Sequence, residues 1–527
     1  MIQTAQILFI LSVLVILHEF GHYLTAKMFK VRVEKFYLFM DAGFSIVKKK
    51  IGDTEWGIGW LPIGGYVKLS GMMDESMDEE QLKGEPQPWE FRSKPAWQRL
   101  IIMLGGIVVN ILLAWLIFTV MYITVGKKII STDELQKNGL AFGEVGQNVG
   151  FKNGDKIMSI DGKHHEDFKF MNMGVLFGDK IEIERDGKKV ELLLTDEQKG
   201  EIIKKEGKGF VHARFGMNEY FIDSIGKNNT GFERFDEIVG VNGKRFVYSD
   251  ELSDALRTHK NDSVNLIVKR NNVEVVLRTK VDSTGLSGVN QTYALVPNED
   301  LKNSFVSTIM KNSSAEKGGI EFKDEIIGIN NIKTESKKEL NRILSENKGK
   351  EITLNVLREG KKTDLKVTLN QYGRLGISFD QKEDKKYTIT EKLSLGEAFP
   401  EAVSQSWALF KYNVQSLKLI ARPKTGAYTQ VQSPIGIASR LPDTWNWEFI
   451  WNFTALFSIG LAFMNLLPIP GLDGGHALFT IAEMITGRTL SDKAMGYVQT
   501  AGMIILLTLM ALTFGKDIYQ LVANKFF

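Results

Sequence analysis

The sequence predicts a polytopic α-helical membrane protein: four transmembrane helices, a membrane-associated β-hairpin and inserted α+β domains. Three observations predict it. Four apolar runs (Ile2 to Met28, Leu100 to Val125, Phe449 to Leu467, Val498 to Phe514) lie towards the two ends of the 527-residue chain. Between them, about residues 130–380 are rich in charge and carry an internal repeat. The mean hydropathy of −0.10 therefore averages very apolar ends with a polar middle.

Composition removes some function classes. A net charge of +3 makes no case for a nucleic-acid partner. The absence of cysteine excludes disulfides and thiolate metal sites, so any metal must be held by His, Asp or Glu.

The first run has no charge before His18. From Ile2 to His18 an α-helix rises about 24 Å, against a hydrocarbon core of about 30 Å. Lys27, Lys30, Arg32, Lys35 and Lys48-Lys49-Lys50 follow, so the far side is read as cytoplasmic and the N-terminus as facing outward. No basic n-region or small-residue cleavage site is present, and the run is read as retained.

His18-Glu19-Phe20-Gly21-His22 lies inside this run. His18 and His22 are one helical turn apart, so their imidazoles can grip one metal ion. Glu19 lies beside them, placed to take a proton from an attacking water. Two unliganded histidines at an interface are the simpler alternative, but such groups are costly in a membrane-length segment.

Residues 55–71 form two short strand-like runs around Pro62 and Gly64-Gly65, which suggests a β-hairpin. Its strand Gly57-Ile58-Gly59-Trp60 offers an edge that could hold an extended peptide. Trp56, Trp60 and Tyr66 equally suit a plain interfacial hairpin. Residues 74–99 are charged and contain Pro86, Pro88 and Pro95, as a cytoplasmic loop would. The second run carries Gly105-Gly106 and then Asn110, a G-x-x-x-N face that lets helices approach closely; helix packing alone would explain it, and packing that also orients the site is favoured.

The middle repeats three times. Gly154–Gly162, Phe235–Gly243 and Lys323–Asn331 are each a short alternating strand ending in a turn. Second hairpins follow around Asp186-Gly187, Asn271-Asn272 and Glu359-Gly360. Helical periodicity fills Asp250–Lys260 and Lys337–Lys348, and the matching interval in the first copy is about one helical turn shorter. The copies resemble the PDZ domain in its bacterial form. No clear peptide-carboxylate loop stands out, which favours spacers or a size screen over C-terminus binders.

Residues 396–420 mix Phe399, Trp407 and Leu417 with Glu397, Lys411 and Lys418, an amphipathic helix suited to lying on a membrane. The third apolar run ends in Asn465-Leu466-Leu467-Pro468-Ile469-Pro470-Gly471-Leu472-Asp473-Gly474-Gly475-His476. Irregular backbone at membrane depth is tolerated only when buried or lining a wet cavity. Asp473 reaches the same side as His18 and His22, as a third ligand would; capping the next helix is its simpler use. His476 is expected to play a supporting or structural part.

Together these residues resemble the site-2 protease family of intramembrane zinc metalloproteases, in its bacterial RseP type. The resemblance rests on His18 to His22, the hairpin at 57–69, Gly106-x-x-x-Asn110 and Asn465 to His476, and it covers nearly the whole chain. It implies one zinc ion on His18, His22 and Asp473, with Glu19 as the catalytic base. It implies that Asn465, Pro468 and Pro470 bind or shape the site for substrate, that Gly57–Leu69 holds the unwound substrate as a strand, and that Gly106 and Asn110 are structural. Implied substrates are single-pass membrane proteins, such as anti-sigma factors after an outer cut, or signal-peptide remnants. The implied setting is the bacterial inner membrane, with the repeats outside. One departure is the count: members of this type usually carry two PDZ domains, not three repeats.

The expected division is 1–128 (first membrane half), 129–215, 216–300 and 301–382 (three PDZ-like repeats), 383–447 (membrane-surface region) and 448–527 (second membrane half). Two rivals stand beside the protease. An inactive membrane-tethered scaffold would not need an intact set of His18, Glu19, His22 and Asp473. An ion transporter would be expected to show inverted repeats.

Overall fold

The computed structural model describes residues 2–72, 85–205, 207, 209–214, 216, 220–222, 231–233, 236–270, 273–283, 295–297, 304–310, 313–381, 387–442, 444–488 and 492–526. Much of the charged loop expected at 74–99, and the turn at Asn271-Asn272, lie outside them. The chain divides into two compact units, Met1–Lys127 with Thr390–Phe527, and Lys128–Ile389.

The first unit holds α1 (Ile2–Met28), β1 (Val33–Ile51), β2 (Thr54–Leu69), α2 (Ala96–Thr124), α3 (Leu395–Ile420), α4 (Trp447–Leu466), α5 (Asp473–Thr486) and α6 (Asp492–Phe526). Among the described residues, α1, α2, α4 and residues 496–520 of α6 are long and apolar enough to cross a membrane. α1 and α2 meet through glycines: a Cβ on Gly21 would overlap the carbonyl of Gly105, and one on Gly105 would lie 2.6 Å from the carbonyl oxygen of Gly21. α4 packs on α1 through Ile10, Leu14 and Ile450. It also donates from Ser458 Oγ to the carbonyl of Asn110 at 2.7 Å. Arg99 Nη2 and Glu483 Oε1, 2.5 Å apart, tie α5 to the start of α2.

The hairpin differs from the expected one. Its turn lies at Gly52-Asp53, not at Pro62 to Gly65, and both strands are long and bent. Phe36, Tyr37 and Leu38 are flanked by Trp56, Gly57 and Ile58 on one side and by Val67, Tyr66 and Gly65 on the other. Gly57 and Ile58 are paired again with Lys48 and Val47. Gly57 and Ile58, in the stretch expected to offer a free edge, are thus enclosed on both sides. The sequence signal misled because Pro62 and Gly64-Gly65 bend β2 without ending it.

α3, which is not among the helices apolar enough to cross a membrane, runs alongside α2 and α4. Ala402 joins Ala114, Phe118, Ala455 and Ile459 in one core, and Phe410 meets Phe463 with ring centroids 5.3 Å apart. Its small residues supply the packing face, while Phe399, Trp407 and Leu417 stay exposed.

The second unit has three separate cores, centred on Ile157/Ile181/Ile183, Ile238/Leu266/Val268 and Ile326/Leu354/Val356. The same irregularity recurs in each, a register shift at Ile157/Ser159, Ile238/Gly240 and Ile326/Gly328. So does one ion pair. Asp155, Asp236 and Asp324 are buried, and Arg185, Arg270 and Arg358 each donate to both carboxylate oxygens and to the carbonyl of Gly150, Gly231 or Gly319. Hydrogen bonds to Asp324 hold the Arg358 guanidinium above its usual pKa. The shorter interval in the first copy comes from six-residue strands and a short connection, since its helix, Phe168–Phe177, is as long as Lys337–Glu346. Asp254 of the second copy accepts from Gln147 and Asn153 of the first, at 3.2 and 2.8 Å.

Three cores imply three independent stabilities. Asp324→Ala removes the acceptor of a largely buried pair and is expected to cost about 3 kcal/mol. Hydrogen exchange on the full chain should accelerate by roughly 100-fold in Glu351–Arg358 and stay unchanged in Lys180–Arg185. Equal acceleration in both strands would contradict separate cores.

Candidate metal centre

The helical turn of α1 puts His18 and His22 on one face, and both are buried. α4 ends at Leu466 and the chain crosses to α5 through Leu467–Leu472, where Pro468 and Pro470 preclude a continuous helix and Gly471 takes φ +92°. This turn delivers Asp473, the first residue of α5, to the histidines. His18 Nε2 and His22 Nε2 are 3.3 Å apart, and Asp473 Oδ2 lies 3.1 and 3.2 Å from them.

These distances fit a metal better than hydrogen bonding. His22 Nδ1 lies 2.9 Å from the carbonyl of Ile102, which requires the proton there and leaves Nε2 bare. Asp473 Oδ2 is buried without a donor. His18 lies between two amides, Asn110 at 3.1 Å from Nδ1 and Asn465 at 3.1 Å from Nε2. A neutral imidazole cannot accept on both nitrogens. Asn110 Oδ1 has no other partner, so turning that amide lets Oδ1 accept from Nδ1–H and leaves Nε2 without a proton of its own, facing the Asn465 amide. Three ligand atoms then converge with no ring or carboxyl proton between them, an arrangement suited to a cation. A tetrahedral shell with zinc bonds near 2.0 Å has edges of about 3.3 Å, close to the separations here.

Gly106 lies directly behind the histidines. A Cβ there would sit 2.5 Å from His22 Nε2 and 2.6 Å from His18 Cε1. Asn110, one turn on, is the partner of His18 just described.

A cavity of about 630 Å³ opens on this centre. Glu19, Asn465 and His476 are on its wall, with Gly64–Leu69 of β2 opposite. The Val67 N–H donates toward the Glu19 carboxylate. β1 pairs with this stretch along one edge, and its residues Gly64 to Leu69 line the cavity. Gly57 to Trp60 do not line it: Trp60 stacks on Phe44, and a Cβ on Gly57 would strike the Tyr37 ring. Pro468 and Pro470 do not line it either; Pro470 packs against Gly502 of α6. His476 Nε2 is 3.0 Å from the amide of Gln499 on α6 and stands outside the converging trio. Gly64 to Leu69 fall within the Gly57–Leu69 hairpin that the family resemblance points to, with Gly64-Gly65 expected at its turn; Gln499 carries no signal in the sequence.

The sequence profile of peptidase family M50 matches residues 6–509. The chain belongs to peptidase family M50. This M50 peptidase is 26% identical to "Regulator of sigma-E protease RseP" of Escherichia coli, over 98% of each chain. It is 25% identical to a Neisseria meningitidis protein named "Putative zinc metalloprotease", also over 98% of each. The solved HtrA-type protease AlgW with a decapeptide covers 38% of this chain and 77% of its own, at 12% identity and a TM-score of 0.14, too low to carry a fold argument. Family and helices together make the M50 peptidase a membrane-embedded protease of the site-2 type.

Proposed function

We propose that this chain holds one zinc ion between His18, His22 and Asp473 and cleaves single-pass membrane proteins within their membrane span. The observation that carries this is the convergence of three bare ligand atoms inside apolar helices. Two histidines and one carboxylate leave a coordination position open, as catalytic zinc sites do. When bound, zinc supplies Lewis acidity and makes water a nucleophile near neutral pH.

The chain's own residues do the rest. Glu19 takes the proton of the attacking water and passes it to the leaving amine. Asn465 aims its amide at the carbonyl oxygen as charge develops there. Asn110 keeps the His18 proton on Nδ1, and Ile102 does the same for His22. Asn110→Ala is expected to weaken zinc binding 10–100-fold, read by competition with a chelator; wild-type affinity would remove Asn110 from this role.

A helical substrate hides its carbonyls, so it must unwind. Gly64–Leu69, which lines the cavity, replaces the lost hydrogen bonds by strand addition. Strand pairing uses alternate amides. N-methylation of alternate substrate residues should therefore slow cleavage about fivefold per lost bond, while methylation at the intervening positions should not. No difference between the two sets would exclude strand capture.

The three repeats are read as PDZ-like modules outside the membrane that screen what approaches. The metal centre lies near the cytoplasmic side of a bacterial inner membrane, in keeping with the lysines after α1. Anti-sigma factors or signal-peptide remnants fit as substrates. The test is incubation of purified protein with a tagged single-span substrate lacking its outer domain, with zinc assayed in parallel. Cleavage within the span supports the reading, and a zinc-loaded protein that cuts no such substrate counts against it.

A further inference from the structure

We propose that a cavity at the C-terminal end of α1 binds the phosphate of an anionic phospholipid headgroup. The cavity is about 400 Å³ and is lined by Lys27, Lys30, Val31, Arg32, Asp53 and Trp89. It is separate from the metal centre, and the proposal needs only that the chain is embedded in a membrane.

The backbone places the three cations. Lys30 N–H donates to Lys27 O at 3.1 Å and Val31 N–H to Ala26 O at 2.8 Å, with Ala26 and Val31 both buried. This is the Schellman ending of a helix, whose left-handed position is usually glycine. Here Lys30 occupies it, with φ +56°. Glycine would take that conformation freely, whereas lysine takes it at a cost, and such a cost points to a use for the side chain. Arg32 N–H is then held by the Trp89 carbonyl at 2.9 Å, which fixes the opposite wall.

Charge and depth suit a headgroup. Among the described residues, no ion pair joins Lys27, Lys30 or Arg32 to a carboxylate; Lys27 only lies over the Tyr23 ring. Asp53 is the single carboxylate on the wall, so three cations face one anion. The carbonyls at the helix end would account for one of these cations, not three. Trp89 and Trp97 are 46% and 49% exposed, as indoles at the level of headgroups are. A guanidinium and two ammonium groups at a membrane surface match a phosphodiester.

The test uses the full chain in phosphatidylcholine nanodiscs containing phosphatidylglycerol, with retained lipid counted by native mass spectrometry. Wild type should retain phosphatidylglycerol over phosphatidylcholine by tenfold or more. Lys27→Gln/Lys30→Gly/Arg32→Gln should lose that preference, and Lys48→Gln/Lys49→Gln/Lys50→Gln, with equal charge loss on the hairpin, should keep it. Lys30→Gly alone should raise the melting temperature while lowering the preference, which a purely structural lysine would not do. Unchanged preference in the cavity variant, or equal loss in the hairpin variant, overturns the site. Displacement of the lipid by equimolar inorganic phosphate would overturn the lipid as its occupant.

Discussion

Gly106→Ala is expected to strip the protein of zinc and of activity while leaving it folded in the membrane. The added methyl would lie 2.5 Å from His22 Nε2 and 2.8 Å from His18 Nδ1. The neighbours cannot yield: His22 is fixed by the Ile102 carbonyl and His18 by Asn110, and α1 and α2 touch through Gly21 and Gly105. Either the helices part or the rings turn. A displacement of about 1 Å at a catalytic centre costs on the order of 100-fold in rate. Zinc per chain and cleavage of the single-span substrate should therefore fall together. Val108→Ala, on an exposed face of the same helix, should change neither. An alanine variant with full zinc and normal turnover would show that the glycine is not there for the histidines.

Glu19→Gln and Asp473→Ala should separate chemistry from metal binding. Glu19 lines the cavity beside the three ligand atoms but is not one of them. Glutamine keeps its shape and cannot accept the proton, so cleavage should drop by about 10²–10⁴-fold with zinc still bound. Asp473→Ala removes the only carboxylate of the trio, and zinc and activity should be lost together. Normal turnover by Glu19→Gln would sink the general-base role, and an Asp473→Ala protein that holds zinc as tightly as wild type would displace Asp473 from the ligand set.

The two sides of the site were not equally legible. His18, Glu19 and His22 lie within one turn of one helix, so their mutual geometry follows from the helical repeat. Asp473 is far away in sequence, and its residue type, its side of the membrane and the family resemblance of Asn465 to His476 pointed to it. Within the expected hairpin Gly57–Leu69, the sequence did not tell which part lines the cavity. Gly57 to Trp60 and Gly64 to Leu69 have similar composition, and which one faces the cavity depends on where β1 folds back between them. Pro468 and Pro470 announced an irregular turn, but not that α6 would press on it through Gly502.

The sequence by itself determined the local and periodic features. These are four apolar spans, a His-Glu-x-x-His turn inside the first, a broken helix after the third, and a motif copied three times in the middle. Each is set by neighbours a few residues apart, or by the length a membrane demands. Only the tertiary structure decided the rest. It brought three lone pairs together, chose which part of β2 lines the cavity, gave Asn110 to His18 and laid α3 along α2 and α4. These depend on contacts between segments tens to hundreds of residues apart, where packing distance, not local propensity, selects among the options the chain allows.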